Sequence, residues 1–438
     1  MGGGSLQLAA KSAQDIYLTG NPQITLFKAV YRRHTNFARE TIQQSFNETP
    51  ITGENTLNSI LDKTASYDLL SGLYLKFKFT GSTLDFDATA STYYNFTNNT
   101  GHAYIKSVEF FMGSSSIDKH DGTWLDIYNE LTDKNEDEYT MLNKHKNKNG
   151  YLQGNASTTL PATICYVPLK FWFCRNPGLA LPLCSLQYQN IKLQLKTRAL
   201  NAMVNSDGET TNDVTGAPTV ELYADYIFLD TEERRRFSTI KHEYLIEQVQ
   251  TSTHSISSAS FNARLNFSHP VKALFWVIRD STSNTEATTL NGANIDATAN
   301  VSGTGMNGNN DYFNYMANTT NADNTEAIGG TDGYEPFNTA TVKFGSEDRF
   351  TAQKASYFRL IEPRKADFRV PEKHVYMYSF SLQPNEYQPS GSANFSRIDN
   401  PQLSLTGCNA SDENLQVYAL NYNVIRILNG KGALGYAS

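Results

Sequence analysis

The sequence predicts an all-β protein built from two tandem eight-stranded jelly rolls, with short helical insertions and long loops. Three observations carry that expectation. First, two distant stretches follow one plan, FWFCRNPGLALPLCSLQYQNIKLQL (171–195) and YSFSLQPNEYQPSGSANFSRIDNPQLSL (378–405). Each reads as an aromatic strand, a Pro/Gly loop and a strand of alternating polarity, and each precedes a strand with a Tyr-Ala step, VELYADYIFL (220–229) or VYALNYNVIRI (417–427). A recurrence this long means duplicated domains rather than a short solenoid repeat. Second, aromatic residues reach 12%, with 25 Tyr and 24 Phe, and Asn, Thr and Ser crowd the gaps between apolar runs, a mixture that favours strands and turns. Third, 438 residues exceed what one core usually holds, whereas two domains of about 200 residues fit the common range.

Residues 1–24 are Gly-rich and then polar, with a turn at Gly20-Asn21-Pro22, and read as an arm. The first jelly roll spans 25–237. In LYLKFKFTG (73–81), Leu73, Leu75, Phe77 and Phe79 share one face, the period-2 pattern of a half-buried strand. IKSVEFFMG (105–113) is the next strand. The period then changes in TWLDIYNELTDKNEDEYTML (123–142), where Trp124, Ile127, Tyr128 and Leu131 recur at helical spacing. Strands near 164–174, 186–197 and 219–230 complete this half. The second jelly roll, 238–438, opens at HEYLIEQVQ (242–250). FNARLNF (261–267) alternates strictly, and the unbroken apolar run ALFWVIRD (273–280) suits a strand buried on both faces. Residues 281–340 lose all periodicity and read as one large surface excursion, the kind of loop on which function concentrates. Strands resume at 341–344, 375–382, 401–406 and 415–428.

Net charge is −7 with a pI near 5.7. Nucleic-acid binding draws on clustered Lys and Arg, and no basic arm is present, so no direct nucleic-acid contact is expected. The run EERRRF (232–237) reads as a solvated linker between domains. Cys165, Cys174, Cys184 and Cys408 lack CxxC spacing and read as reduced, largely buried thiols of a cytosolic protein. No signal peptide is visible at the N-terminus, Leu6 stands where a myristoylation motif needs Ser or Thr, and no apolar run is long enough to span a membrane.

Catalytic signatures fail on context. GTGMNG (303–308) and GKGALG (430–435) both satisfy G-x-G-x-x-G, but the first lies in the aperiodic excursion and the second has no helix after it to hold a pyrophosphate. No Walker A, GxSxG or HExxH pattern occurs, and the eight histidines are scattered. Asp85 and Asp87 share a strand face and read as a strand-to-loop transition. No enzyme, cofactor or metal site is therefore expected. Of nine N-x-S/T sequons, Asn300 and Asn318 lie on the excursion and are the candidates for glycosylation.

Six segments together carry a resemblance: NPQITLFKAVYRRHTNF (21–37), IDKHDGTW (117–124), NPGLALPLCSLQYQNIKLQL (176–195), DYIFLDTEERRRF (225–237), DRFTAQKASYF (348–358) and QPSGSANFSRIDN (388–400). They resemble the major capsid proteins of nucleocytoplasmic large DNA viruses, of the kind found in large algal viruses, and they follow family order along nearly the whole chain. Residues 281–340 do not match. The resemblance implies a double jelly roll, a homotrimer forming a pseudo-hexagonal capsomer, contacts with neighbouring capsomers, and minor capsid and vertex proteins on the inner face. It further implies a place in the virion capsid shell after synthesis and assembly in the host cytoplasm, with no membrane insertion. The alternative is a carbohydrate-binding, lectin-like module or virion attachment protein, with Tyr312, Phe313 and Tyr315 as exposed aromatic contacts on the excursion.

Overall fold

A computed structural model describes residues 2–61, 67–80, 94–133, 138–144, 162–206, 216–280, 312–313, 315, 335–408 and 413–436. The chain forms two compact units, Met1–Phe37 and Ala38–Ser438. The small unit holds helices Gly3–Ala9 and Ile16–Thr19, neither with a buried residue. Leu6, Leu8, Ile16 and Leu18 are all exposed, and Phe27 and Tyr31 are more than 90% exposed (97% and 91%).

Eight principal strands make the first domain: β1 (Phe37–Gln44), β2 (Asn55–Leu61), β3 (Leu69–Phe79), β4 (Ile105–Met112), β5 (Ser115–His120), β6 (Thr163–Pro168), β7 (Ile191–Thr197) and β8 (Thr219–Leu229). They pair in the orders β1-β8-β3-β6 and β2-β7-β4-β5. Eight more follow: β9 (His242–Ser255), β10 (Ser260–Arg264), β11 (Pro270–Asp280), β12 (Thr339–Phe344), β13 (Glu347–Asp348), β14 (Tyr376–Ser379), β15 (Pro401–Thr406) and β16 (Glu413–Leu428). These pair as β9-β16-β11-β14 and β10-β15-β12-β13. The second pair of orders is the first with every index raised by eight, and both are the two four-stranded sheets of a jelly roll. The duplication legible in sequence is thus a duplication of topology, since its matched later strands are β7 with β15 and β8 with β16.

One element of that match folds differently. FWFC does not continue β6, because the chain leaves the strand after Pro168 and turns into the short helix Trp172–Arg175, which buries Phe171, Trp172 and Phe173. The Asn176 side chain then accepts from Gly178 N at 2.7 Å and caps a further turn at Pro177–Leu179. EERRRF lies on helix Thr231–Thr239, which has no buried residue and joins β8 to β9.

Strand alternation explains the cores. Leu73, Leu75, Phe77 and Phe79 of β3 are all buried on the face the period predicts, with Lys76 and Lys78 opposite. β11 is buried on both faces. Ala273, Phe275 and Val277 join one apolar cluster, and Leu274, Trp276 and Ile278 join another. Its neighbour β16 divides likewise, Tyr418 and Leu420 to the first cluster and Leu415, Val417 and Ala419 to the second. The second cluster is the interior of the second jelly roll. The first contains the whole interior of the first jelly roll, so one sheet seals its own domain on one side and the neighbouring domain on the other.

Candidate functional site

Among the described residues no group of His, Cys, Asp and Glu could hold a metal ion, and no helix is long and apolar enough to cross a membrane. GKGALG is a β-hairpin: Asn429 and Gly430 take φ of +53° and +76°, and Lys431–Leu434 returns along β16. Paired positive φ values at Asn-Gly are those of a tight two-residue hairpin turn, not of a phosphate cradle. GTGMNG, Asp85, Asp87, Asn300 and Asn318 lie outside the described residues. All four cysteines are free, and burial pushes the thiols of Cys165 and Cys408 up to about 12.

Among the described residues, specific contacts gather at the seam between the jelly rolls, and IDKHDGTW builds its first part. The Ile117 carbonyl accepts from the Gln248 amide, and Asp118 accepts from Val249 N at 3.1 Å, which ties edge strand β5 to β9. Asp121 caps helix Gly122–Thr132 by accepting from Trp124 N at 2.6 Å, and also accepts from the Tyr418 hydroxyl at 2.9 Å. A Cβ on Gly122 would stand 2.3 Å from the His102 carbonyl oxygen, so only glycine lets this helix sit so close. Trp124 then packs on Phe275 and Tyr418, with ring centroids 5.4 and 5.5 Å away. The helix is buried on every side from Gly122 to Leu131.

That burial takes Asp126 and Glu130 out of water, which is costly unless each is paired. Lys373 of the second domain donates to both Asp126 oxygens at 2.9 Å, Asn99 donates to it at 2.8 Å, and Lys144 bonds Glu130 at 2.9 Å. Burial alone would raise the Asp126 carboxyl; Lys373 and Lys144 hold it down at about 2. A second charged group crosses the seam, with Glu247 bridging Arg175 and the fully buried Lys272. It borders a cleft of about 250 Å³ lined by Trp172, Arg175, Glu247, Asn385, Tyr387 and Tyr422. These charges neutralise one another across the two domains.

Tyr312, Phe313 and Tyr315 are not exposed contacts. They are 2%, 7% and 1% exposed and belong to the shared core. Tyr312 donates to the Ala202 carbonyl at 2.7 Å under the Arg198 guanidinium, and Tyr315 donates to Asp126 at 2.9 Å. Lys373 lies 5.1 Å from the Phe313 ring centroid. The middle of the excursion is therefore hooked into the seam, and these aromatic faces are closed to a sugar. The hook and the Asp126 network were missed in sequence; the available signal was two acids on a helix with Trp124, Leu125, Ile127, Tyr128 and Leu131 spread around it.

Large exposed apolar side chains lie elsewhere. The outer face of sheet β1-β8-β3-β6 carries Tyr74, Ile164 and Tyr166 beside the Lys76–Glu221 pair, whose closest atoms are 3.0 Å apart. With the exposed residues of the N-terminal unit, this is surface of the kind that contacts partners.

The comparisons agree with this architecture. The family described as large eukaryotic DNA virus major capsid protein matches residues 233–433, and the major capsid protein N-terminus family matches 25–230. The major capsid protein of Pyramimonas orientalis virus is 38% identical and that of Paramecium bursaria Chlorella virus 1 is 37% identical, each over the full length of both chains. The solved VP54 structure of PBCV-1, fitted into a reconstruction of the virophage Sputnik, superposes with a TM-score of 0.72 at 31% identity, covering 94% of this chain and all of that one. The Faustovirus major capsid protein, at 14% identity, shares the fold with the same TM-score over 95% of this chain and 94% of its own. The chain belongs to the major capsid protein family of the large eukaryotic DNA viruses.

Proposed function

We propose that this chain is the structural major capsid protein of a large DNA virus, and that three copies join into a pseudo-hexagonal capsomer tiling an icosahedral shell. The observation that carries the reading is the pair of jelly rolls with one strand order, fixed to each other through a single two-faced sheet. Threefold symmetry acting on two near-equivalent, rigidly joined units yields six near-equivalent edges. Lateral contacts repeated over a lattice can each be weak, because every tile is held by many at once.

In this reading residues 25–237 and 238–438 are the two units, and the arm 1–24 faces the interior, toward minor capsid and vertex proteins. The excursion 281–340 contributes to an outer tower, where Asn300 and Asn318 carry any attached sugar. The subunit is made and assembled in the host cytoplasm, needs no cofactor, turns over no substrate, binds no nucleic acid directly and inserts into no membrane. Light scattering on the purified chain is the test. A stable trimer at micromolar concentration supports the tile; a stable monomer at that concentration overturns it.

A further inference from the structure

We propose that Lys144 and Asn129 join in an intramolecular isopeptide bond, formed by the folded chain without a helper enzyme. The groups needed are already together and dry. Lys144 Nζ lies 3.2 Å from Asn129 Oδ1 and 2.9 Å from Glu130 Oε2, and the side chains of Lys144 and Glu130 are each 1% exposed, as is Asn129. Asn129 Nδ2 donates to Glu138 Oε2 at 2.7 Å, which fixes the amide orientation and leaves its carbonyl toward the lysine. Glu138 is held in turn by Lys170 and by its own backbone N–H on Asp133. A lysine amine, a carboxamide and a carboxylate beside the amine, shielded from water, are the requirements for acyl transfer between side chains.

The step balances without an added reagent. The Lys144 ammonium gives one proton to Glu130 and its free amine moves from the amide oxygen onto Asn129 Cγ. The new C–N bond forms as the Cγ–Nδ2 bond breaks. Glu130 relays that proton to the departing nitrogen, and the lysine nitrogen, on becoming an amide, gives up a second proton by the same route, so an ammonium and a primary amide become a secondary amide and a free ammonium ion. Burial would raise the Glu130 carboxyl, but Lys144 and Lys373 hold it below its usual range, so the ion pair is the resting state. The reaction then runs through the minor neutral pair and is slow, and loss of ammonia makes it irreversible. The product staples helix Gly122–Thr132 to the segment after helix Glu138–Leu142, at the place where Asp126 and Glu130 meet the second domain. The four thiols are free, so this link would be indifferent to a reducing compartment.

The test is intact-mass and tryptic-peptide mass spectrometry of the full chain, fresh and after prolonged incubation at neutral pH. The expected result is a mass lower by one ammonia and a branched peptide joining Asn129 to Lys144, both absent in Lys144→Arg, which keeps a cation beside Glu130. A succinimide elsewhere loses the same ammonia but gives no branched peptide and persists in Lys144→Arg. Recovery of linear peptides with intact Asn129 and Lys144 from the aged, folded protein overturns the proposal, whatever the subunit's oligomeric state.

Discussion

Replacing Trp124 with alanine should loosen both jelly rolls at once. Trp124 is fully buried on a helix of the first domain, yet two of its ring neighbours, Phe275 and Tyr418, belong to the second. A buried tryptophan removes roughly 150–250 Å² from water, which at about 25 cal/mol per Å² corresponds to about 4–6 kcal/mol before alanine's own share is deducted. With partial collapse of the cavity the net loss should be about 3–5 kcal/mol. The assay is denaturant unfolding in a Trp172→Phe background, where Trp276 becomes the sole indole of the Trp124→Ala chain. Trp276 lies in the second core, 5.3 Å from the Phe358 ring, and does not touch the mutated site. Its unfolding midpoint should fall together with the loss of far-ultraviolet circular dichroism, at matched protein concentration. A loss below about 1 kcal/mol, or a Trp276 transition left in place while the first domain melts early, would refute the shared core.

Three further outcomes are expected. Burial drives the His102 imidazole down to about 3, with Asp126 only partly opposing, so the native state refuses a proton that the unfolded chain accepts below about 6.5. Stability from this group is complete above that pH and drains as pH falls, by roughly 3 kcal/mol at about pH 4; His102→Gln should flatten the unfolding profile over that window, and an unchanged slope contradicts the assignment. Limited proteolysis of intact particles should cut within 281–340 before anywhere else in the second domain, and Tyr315→Phe, which removes a charge-assisted bond to Asp126 worth about 1.5–3 kcal/mol, should speed that cut; cleavage confined to other segments is the contrary result. Deleting residues 2–20 should leave folding and trimerisation intact while impairing shell assembly, because each of Leu6, Leu8, Ile16 and Leu18 offers roughly 1.5–3 kcal/mol to a partner that buries it; a truncated chain that cannot fold would place the arm in the first core.

Where one face of an element meets the core, its sequence announces it. The alternation in β3 and β10 and the two-faced run of β11 match the buried sets of the folded chain, whereas the period at Trp124–Leu131 gave the helix but not its burial on every side. The duplicated plan was legible because β7 with β8, and β15 with β16, repeat the same period in the same order. FWFC misled because aromatic density marks burial, not backbone conformation, and a buried helical turn uses the same residues as a buried strand. Tyr312, Phe313 and Tyr315 misled for another reason. Their polar surroundings read as surface, while the partners that bury them, Arg198, Ala202, Asp126 and Lys373, are far away in sequence. The same distance hid the charged seam, since a carboxylate on a helix is solvated unless something remote covers it.

Three copies of this paired unit should make a six-lobed tile. Electron microscopy of the purified full-length chain, with class averages computed without imposed symmetry, tests it most directly. The expected images are compact particles of threefold symmetry with six lobes of nearly equal size around the axis, packing edge to edge into hexagonal arrays as concentration rises. Isolated two-lobed particles that stay single at every concentration would contradict it.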